Sequence, residues 1–159
     1  MGDYSEFSFS VRALLASYRW RRIDPVPWSP PRKPLSQSRV AIVSTAGLVA
    51  PGQPGFEPSR GGDASFRIID EGVDLRTLRD THRSESFDHT AMLSDPNLVF
   101  PRDRLRELAA EGVIGSVAAR HLSFMGSITR TRPLIDETAP VAASMLAADG
   151  VDAVLLVPV

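Results

Sequence analysis

The chain is 159 residues long, enough for one domain with a real core, and 43% hydrophobic with 23% charged residues is the composition of an ordinary globular protein. Its 18 Lys and Arg nearly balance its 19 Asp and Glu, for a net charge of −1, so electrostatics give no footing to nucleic acid or an anionic membrane as partner. With no cysteine, these residues hold no disulfide, thiolate metal site or thiol chemistry.

Met1–Glu6 carries acidic residues and no basic n-region, which is not a signal peptide, and Glu6 breaks the myristoylation pattern that Gly2 would begin. No run is apolar for long enough to span a membrane, so the expected compartment is the cytoplasm. Residues 5 to 20 place Phe7, Val11, Leu14, Leu15 and Tyr18 at helical spacing. A proline-rich connector follows from Asp24 to Pro31, where prolines block both helix and central strand and Trp28 is expected to pin the segment. Residues 1–38 are therefore read as a helix plus connector, and residues 39–159 as an α/β domain.

Arg39 to Thr45 is an unbroken apolar run of the kind buried on both faces of a sheet. The loop Ala46-Gly47-Leu48-Val49-Ala50 follows, then a Gly- and Pro-rich stretch without periodicity over residues 51 to 63, and a second strand at Ser65 to Ile69. Pro101 opens a helix whose buried side is Leu105, Leu108 and Ala109, and Gly112 stops it. Ile114 to Phe124 is expected to form a second short helix ending near Gly126. A last helix starts around Thr138, buries Val141, Met145 and Leu146, and ends at Gly150. It feeds Val151 to Pro158, which reads as a buried parallel strand. Strand, helix and strand with short connections imply an α/β fold: a three-layer, Rossmann-like, mostly parallel sheet that is incomplete in this chain. In such folds ligands bind just past the carboxyl ends of the strands, which is where this chain stops.

Three places carry candidate chemistry. The loop at Thr45 to Gly47 lies at a strand end and can bind a carboxylate or phosphate through backbone N–H groups, or simply be a tight turn; it is neither G-x-G-x-x-G nor a P-loop. The segment Thr81 to Thr90 holds His82, Asp88 and His89, able to form a proton-transfer cluster, a metal site with Asp95 or His121 as a further ligand, or a hydrogen-bonded loop. Its spacing matches no standard zinc motif, so no metal is assigned. His121 precedes a glycine break where it can line a pocket or pack on the core, and Arg130 and Arg132 can pair with a substrate carboxylate or with nearby acids.

The run Ser94-Asp95-Pro96-Asn97-Leu98-Val99-Phe100-Pro101-Arg102-Asp103-Arg104-Leu105, with Gly112-Val113-Ile114-Gly115-Ser116, resembles the selenoprotein B subunits of glycine, sarcosine, betaine and D-proline reductases. His121 to Gly126 and Ala148 to Val159 look closest to the D-proline reductase branch, and the Pro27-Trp28 connector and the strand at Val40 to Thr45 fit as well. The resemblance implies a selenocysteine or cysteine just after the terminal strand, with another cysteine nearby and a further α/β portion beyond. The chain ends before that position. The expectation is thus the N-terminal portion of a longer selenoprotein cut at its own UGA codon, with a short paralogue, a split gene or a chosen boundary as alternatives.

The implied activity is reductive cleavage of a C–N bond in a small amino acid or betaine. No cofactor is expected in this chain itself; a pyruvoyl group on a partner subunit activates the amine in some relatives, other reductase subunits are the expected partners, and a thiol reductant returns the oxidised selenium. His82, Asp88, His89 and His121 are then candidates for proton transfer, and Thr45, Gly47, Arg130 and Arg132 for substrate binding. The alternatives are a non-catalytic accessory or binding module that kept the fold without the redox residue, and a metal-dependent enzyme built on the histidine cluster.

Overall fold

The computed structural model describes residues 7–17, 22–83 and 88–159. Met1–Glu6, Tyr18 and residues 84–87 of the histidine segment lie outside the described residues, as does the side chain of Leu14. The chain divides into two compact units, residues 1–30 and 31–159. The first contains helix α1 (Phe9–Ser17), within the stretch expected to be helical, followed by the extended proline-rich segment in which Trp28 is exposed.

The second unit is built on β1 (Arg39–Ser44), whose Val40, Ala41 and Ile42 are buried as their unbroken apolar run requires. It continues with β2 (Leu48–Val49), β3 (Phe66–Asp70), β4 (Arg79–Asp80), α2 (His89–Ser94), α3 (Arg102–Ala110), β5 (Ser116–Val117), β6 (Arg120–Phe124), α4 (Ala139–Ala148) and β7 (Ala153–Val157). On one side β1 pairs in parallel with β7 along its length, from Val40↔Ala153 to Ser44↔Val157. On the other it pairs in parallel first with β5 and then with β6, and β3 lies antiparallel to β6 outside them. The α3 face buries Val40, Ile42, Ile69, Phe100 and Leu105, and the α4 face buries Ala41, Leu122, Ala142 and Leu146. The result is the expected three-layer, mostly parallel α/β sheet.

Three local expectations are corrected. The segment from Ile114 to Phe124 forms strands β5 and β6, not a helix. It lies between β1 and β3 with both faces covered, so its side chains show no period of two, and a short apolar run of this kind cannot be told from a buried helix by periodicity. Leu146 faces the core and Met145 packs partly buried against it as expected, but Val141 is exposed and Ala142 is buried in its place. The wide π turn at Leu134–Thr138 just before α4 offsets the helical phase. Finally, β7 is parallel as expected but not buried: Leu155 and Leu156 are exposed, the latter at 70%, and no described residue pairs with its outer edge. The sheet is incomplete in that specific sense.

The Ser94 to Leu105 run ties α3 to the sheet. Asn97 Oδ1 accepts the Asp103 N–H at 3.0 Å while its Nδ2 donates to Asp103 Oδ2, fixing the start of α3. Buried Arg102 donates to the carbonyls of Glu71 and Val73. The Val99 carbonyl accepts the Ser44 hydroxyl at 2.7 Å, and Phe100 is fully buried against the edge of the His121 ring.

Candidate functional site

The carboxyl ends of β1, β6 and β7 point the same way, and the chain segments leaving them meet around Thr45, Met125–Ser127 and Val159. The Thr45 N–H donates to the Val157 carbonyl at 3.1 Å, and the Val159 N–H donates to Thr45 Oγ1 at 2.8 Å. The Gly47 N–H, a candidate carboxylate donor, instead donates to the Phe124 carbonyl at 2.9 Å. Gly47 contributes space. Its φ is +65°, and an added Cβ would lie 3.1 Å from the His82 nitrogen and 3.2 Å from its Cα, so the His82 main chain passes directly over it. At Gly126 an added Cβ would lie 2.8 Å from His82 Nε2, 3.1 Å from the Val159 carbonyl oxygen and 3.2 Å from that of Thr45. The imidazole of His82 is thus seated on a bare stretch of backbone at the strand ends. The next residue, Ser127, has φ +55°, a strained conformation for a side chain other than Gly and one that clusters at functional sites.

His82 is held from the other direction by Asp80. The carboxylate sits at the end of β4, which pairs with β2 through Leu48↔Asp80, and Thr81 reinforces the junction by donating its N–H and hydroxyl to the Gly47 carbonyl. Asp80 Oδ1 accepts the His82 N–H at 2.7 Å, and Oδ2 is hydrogen-bonded to His89 Nδ1 at the start of α2. The two rings are 6.5 Å apart. His82 is only 8% exposed, and burial lowers its pKa below the ordinary histidine value, a trend that Asp80 opposes and His89 reinforces.

The remaining sequence candidates fall elsewhere. Asp88 is the N-cap of α2, its Oδ1 accepting the Ala91 N–H at 2.9 Å. His121 lies in the sheet and apart from the cluster. β1 advances from Val40 to Val43 while its neighbour advances from Val117 to Leu122, a bulge of two extra residues. At this bulge His121 Nδ1 takes the place of a main-chain acceptor for the Ile42 N–H at 3.0 Å. With no exposed surface, the ring is desolvated and its pKa falls to about 4. Arg130 is exposed and its N–H binds the Gly61 carbonyl at 2.9 Å, behind the loop over residues 54–65, and Arg132 is exposed on the stretch leading to α4.

Two open hollows meet at Met125–Ser127. One, of about 300 Å³, is polar and lined by His82, Arg83, Glu57, Arg60 and Asp63 among others. The second, of about 400 Å³, is apolar and lined by Val43, Thr45, Phe124, Ile128, Leu134 and Val159 among others. Sequence reasoning missed Asp80, Arg60 and Arg83. The Asp-x-His spacing of Asp80 and His82, which makes an Asx turn, is the one signal that pointed to the first. Among the described residues no three His, Asp or Glu side chains assemble as a metal-ligand group, and no helix is long and apolar enough to cross a membrane.

The family model for glycine/sarcosine/betaine reductase selenoprotein B matches residues 11–159. The chain belongs to this family. Among curated relatives, it is similar to D-proline reductase subunit gamma of Acetoanaerobium sticklandii, 36% identical over 135 residues that cover 84% of this chain and 54% of the relative. It is also similar to the sarcosine reductase complex component B subunit beta of Peptoclostridium acidaminophilum, 37% identical over 111 residues covering 67% of this chain and 24% of the relative. A third is glycine reductase complex component B subunit gamma of Symbiobacterium thermophilum, 33% identical over 102 residues covering 63% and 24%. The chain therefore spans about half the length of the D-proline reductase relative and about a quarter of the other two. No solved structure gives a significant match.

Proposed function

We propose that this chain is part of a reductase-complex subunit that cleaves a C–N bond of a small amino acid or betaine, with the substrate at the ends of β1 and β6. The observation that carries this reading is the His82 ring seated on Gly126 where the parallel strands end. Family membership supports this reaction class. A selenolate or thiolate, which these 159 residues do not contain, would attack the carbon bearing nitrogen, forming a C–Se or C–S bond as the C–N bond breaks and the amine leaves. A dithiol would then release the reduced product and regenerate the nucleophile, leaving as a disulfide, and a pyruvoyl group on a partner subunit would activate the amine. The two adjoining hollows and the bare backbone at Gly126 leave room for such chemistry.

The chain's own residues then bind, orient and move a proton. Glycine, sarcosine, betaine and D-proline all carry a carboxylate, and Arg60 and Arg83 face the polar hollow as its bidentate partners. Arg130 and Arg132 stand farther out and add positive charge. Burial disfavours the charged form of His82, so once its ring has accepted a proton it is a strong donor, and it gives that proton to the departing amine. His89, tied to the same carboxylate, is the second proton carrier. Thr45 and Gly47 shape the floor, Asp88 holds α2, and His121 maintains the sheet beneath. Thiol reductants of this kind stay reduced in the cytoplasm, the compartment proposed here.

The test is turnover by the full-length subunit assembled with its partner subunits. Glycine, sarcosine, betaine and D-proline are offered singly with a dithiol, following the freed amine or the ring-opened product. One of the four should turn over, and His82→Gln should lower kcat by about 10²–10⁴-fold. No turnover of any of them by the assembled complex would leave the accessory or binding module as the better reading.

A further inference from the structure

We infer that Asp80 is a positioning residue that fixes the tautomer of His89 and the seat of His82, making the three side chains one proton-handling unit. The inference deepens, and rests on, the proton-transfer role proposed for His82.

The geometry uses both oxygens of one nearly buried carboxylate, whose side chain is 11% exposed. Oδ1 takes the main-chain N–H of His82 at 2.7 Å, and Oδ2 takes the ring of His89. An ionised carboxylate can only accept, so His89 Nδ1 must carry a hydrogen. The unit is anchored from three directions: Asp80 by the β2–β4 pairing, His82 by the Gly47 and Gly126 backbone beneath it, and His89 by the Asp88 cap of α2. An Asx turn alone would need only the Asp80–His82 bond. The second bond, to a partly exposed imidazole on a separate helix, is what a turn does not require.

These 159 residues hold three histidines, so in the ¹⁵N-histidine-labelled subunit the ring signals of His82, His89 and His121 are assigned by single His→Gln changes. Long-range ¹⁵N–¹H correlation should show His89 protonated at Nδ1. In Asp80→Asn the side-chain amide donates toward Nδ1, and the ring should switch to the Nε2–H tautomer. In the assembled complex the same variant should lose about 10–100-fold in kcat with little change in KM, the range typical of residues that orient a working side chain.

Wild-type His89 protonated at Nε2 alone overturns the inference, as does an Asp80→Asn chain in which both tautomer and kcat are unchanged. Should Asp80→Asn fail to fold, the wild-type tautomer still decides. A complex that turns over none of the substrates would defeat the reductase reading, and the ring signals would then judge Asp80 independently.

Discussion

Replacing His121 by leucine separates two effects that the fold couples. At neutral pH the ring is uncharged and Nδ1 accepts the Ile42 N–H at 3.0 Å inside the β1–β6 bulge. Leucine keeps most of the volume but offers no acceptor, so a buried N–H loses its partner at a cost of about 1–3 kcal/mol. The acid limb has the opposite sign for the comparison. Burial lowers the folded pKa to about 4 from the ordinary 6.5, so the unfolded chain binds more protons between those pH values. Stability is therefore intact above the unfolded value and is lost as pH falls toward the folded one, by about 3 kcal/mol in full and about 2 kcal/mol at pH 5. His121→Leu lacks this loss.

Urea unfolding of both proteins, followed by circular dichroism at about pH 7.5 and about pH 5, reads the difference directly. The variant should be the less stable at the higher pH, and the gap should close or reverse at the lower one. A gap that stays the same at both values would show that the His121 ring is not held neutral in the sheet, and the account of the bulge would fall with it.

Arg102→Met should cost about 2–4 kcal/mol in the same assay, because it strips a buried guanidinium from the carbonyls of Glu71 and Val73 and detaches α3 from that loop; a change below 0.5 kcal/mol would contradict this role. Gly47→Ala should destabilise by at least about 1–2 kcal/mol from the left-handed conformation alone, with more from the approach of the His82 backbone, seen as a lowered Tm. Asp88→Ser replaces one capping residue with another, so both stability and turnover of the assembled complex should stay near wild type; a large loss of kcat would place Asp88 in the chemistry instead of the α2 cap. Leu156→Lys puts a charge on the exposed edge strand and should reduce aggregation of the isolated chain on heating, read by light scattering.

The sequence by itself determined the features that depend on neighbours in the chain. The apolar run of β1, the Pro101 start and Gly112 stop of α3, and the Gly150 stop of α4 are local steric and hydrogen-bonding facts, with φ of +74° and +69° at the two glycines. The run from Ser94 to Leu105 was legible as a family signature, and its structural role is to lock α3, β1 and the 71–73 loop together.

Tertiary structure alone decided the rest. Residues 116–117 and 120–124 became strands because neighbouring strands pair with their edges while apolar side chains cover both faces. His121 became a sheet acceptor because the bulge left the Ile42 N–H without a main-chain partner, 79 residues away in the sequence. The candidate site followed the same rule: His82 and His89 were visible as a cluster, but the carboxylate joining them is Asp80, not Asp88, because β4 pairing fixes one while the α2 cap consumes the other. Hydrogen bonds between distant residues leave no periodic trace in the sequence, so only the folded chain shows which groups they bring together.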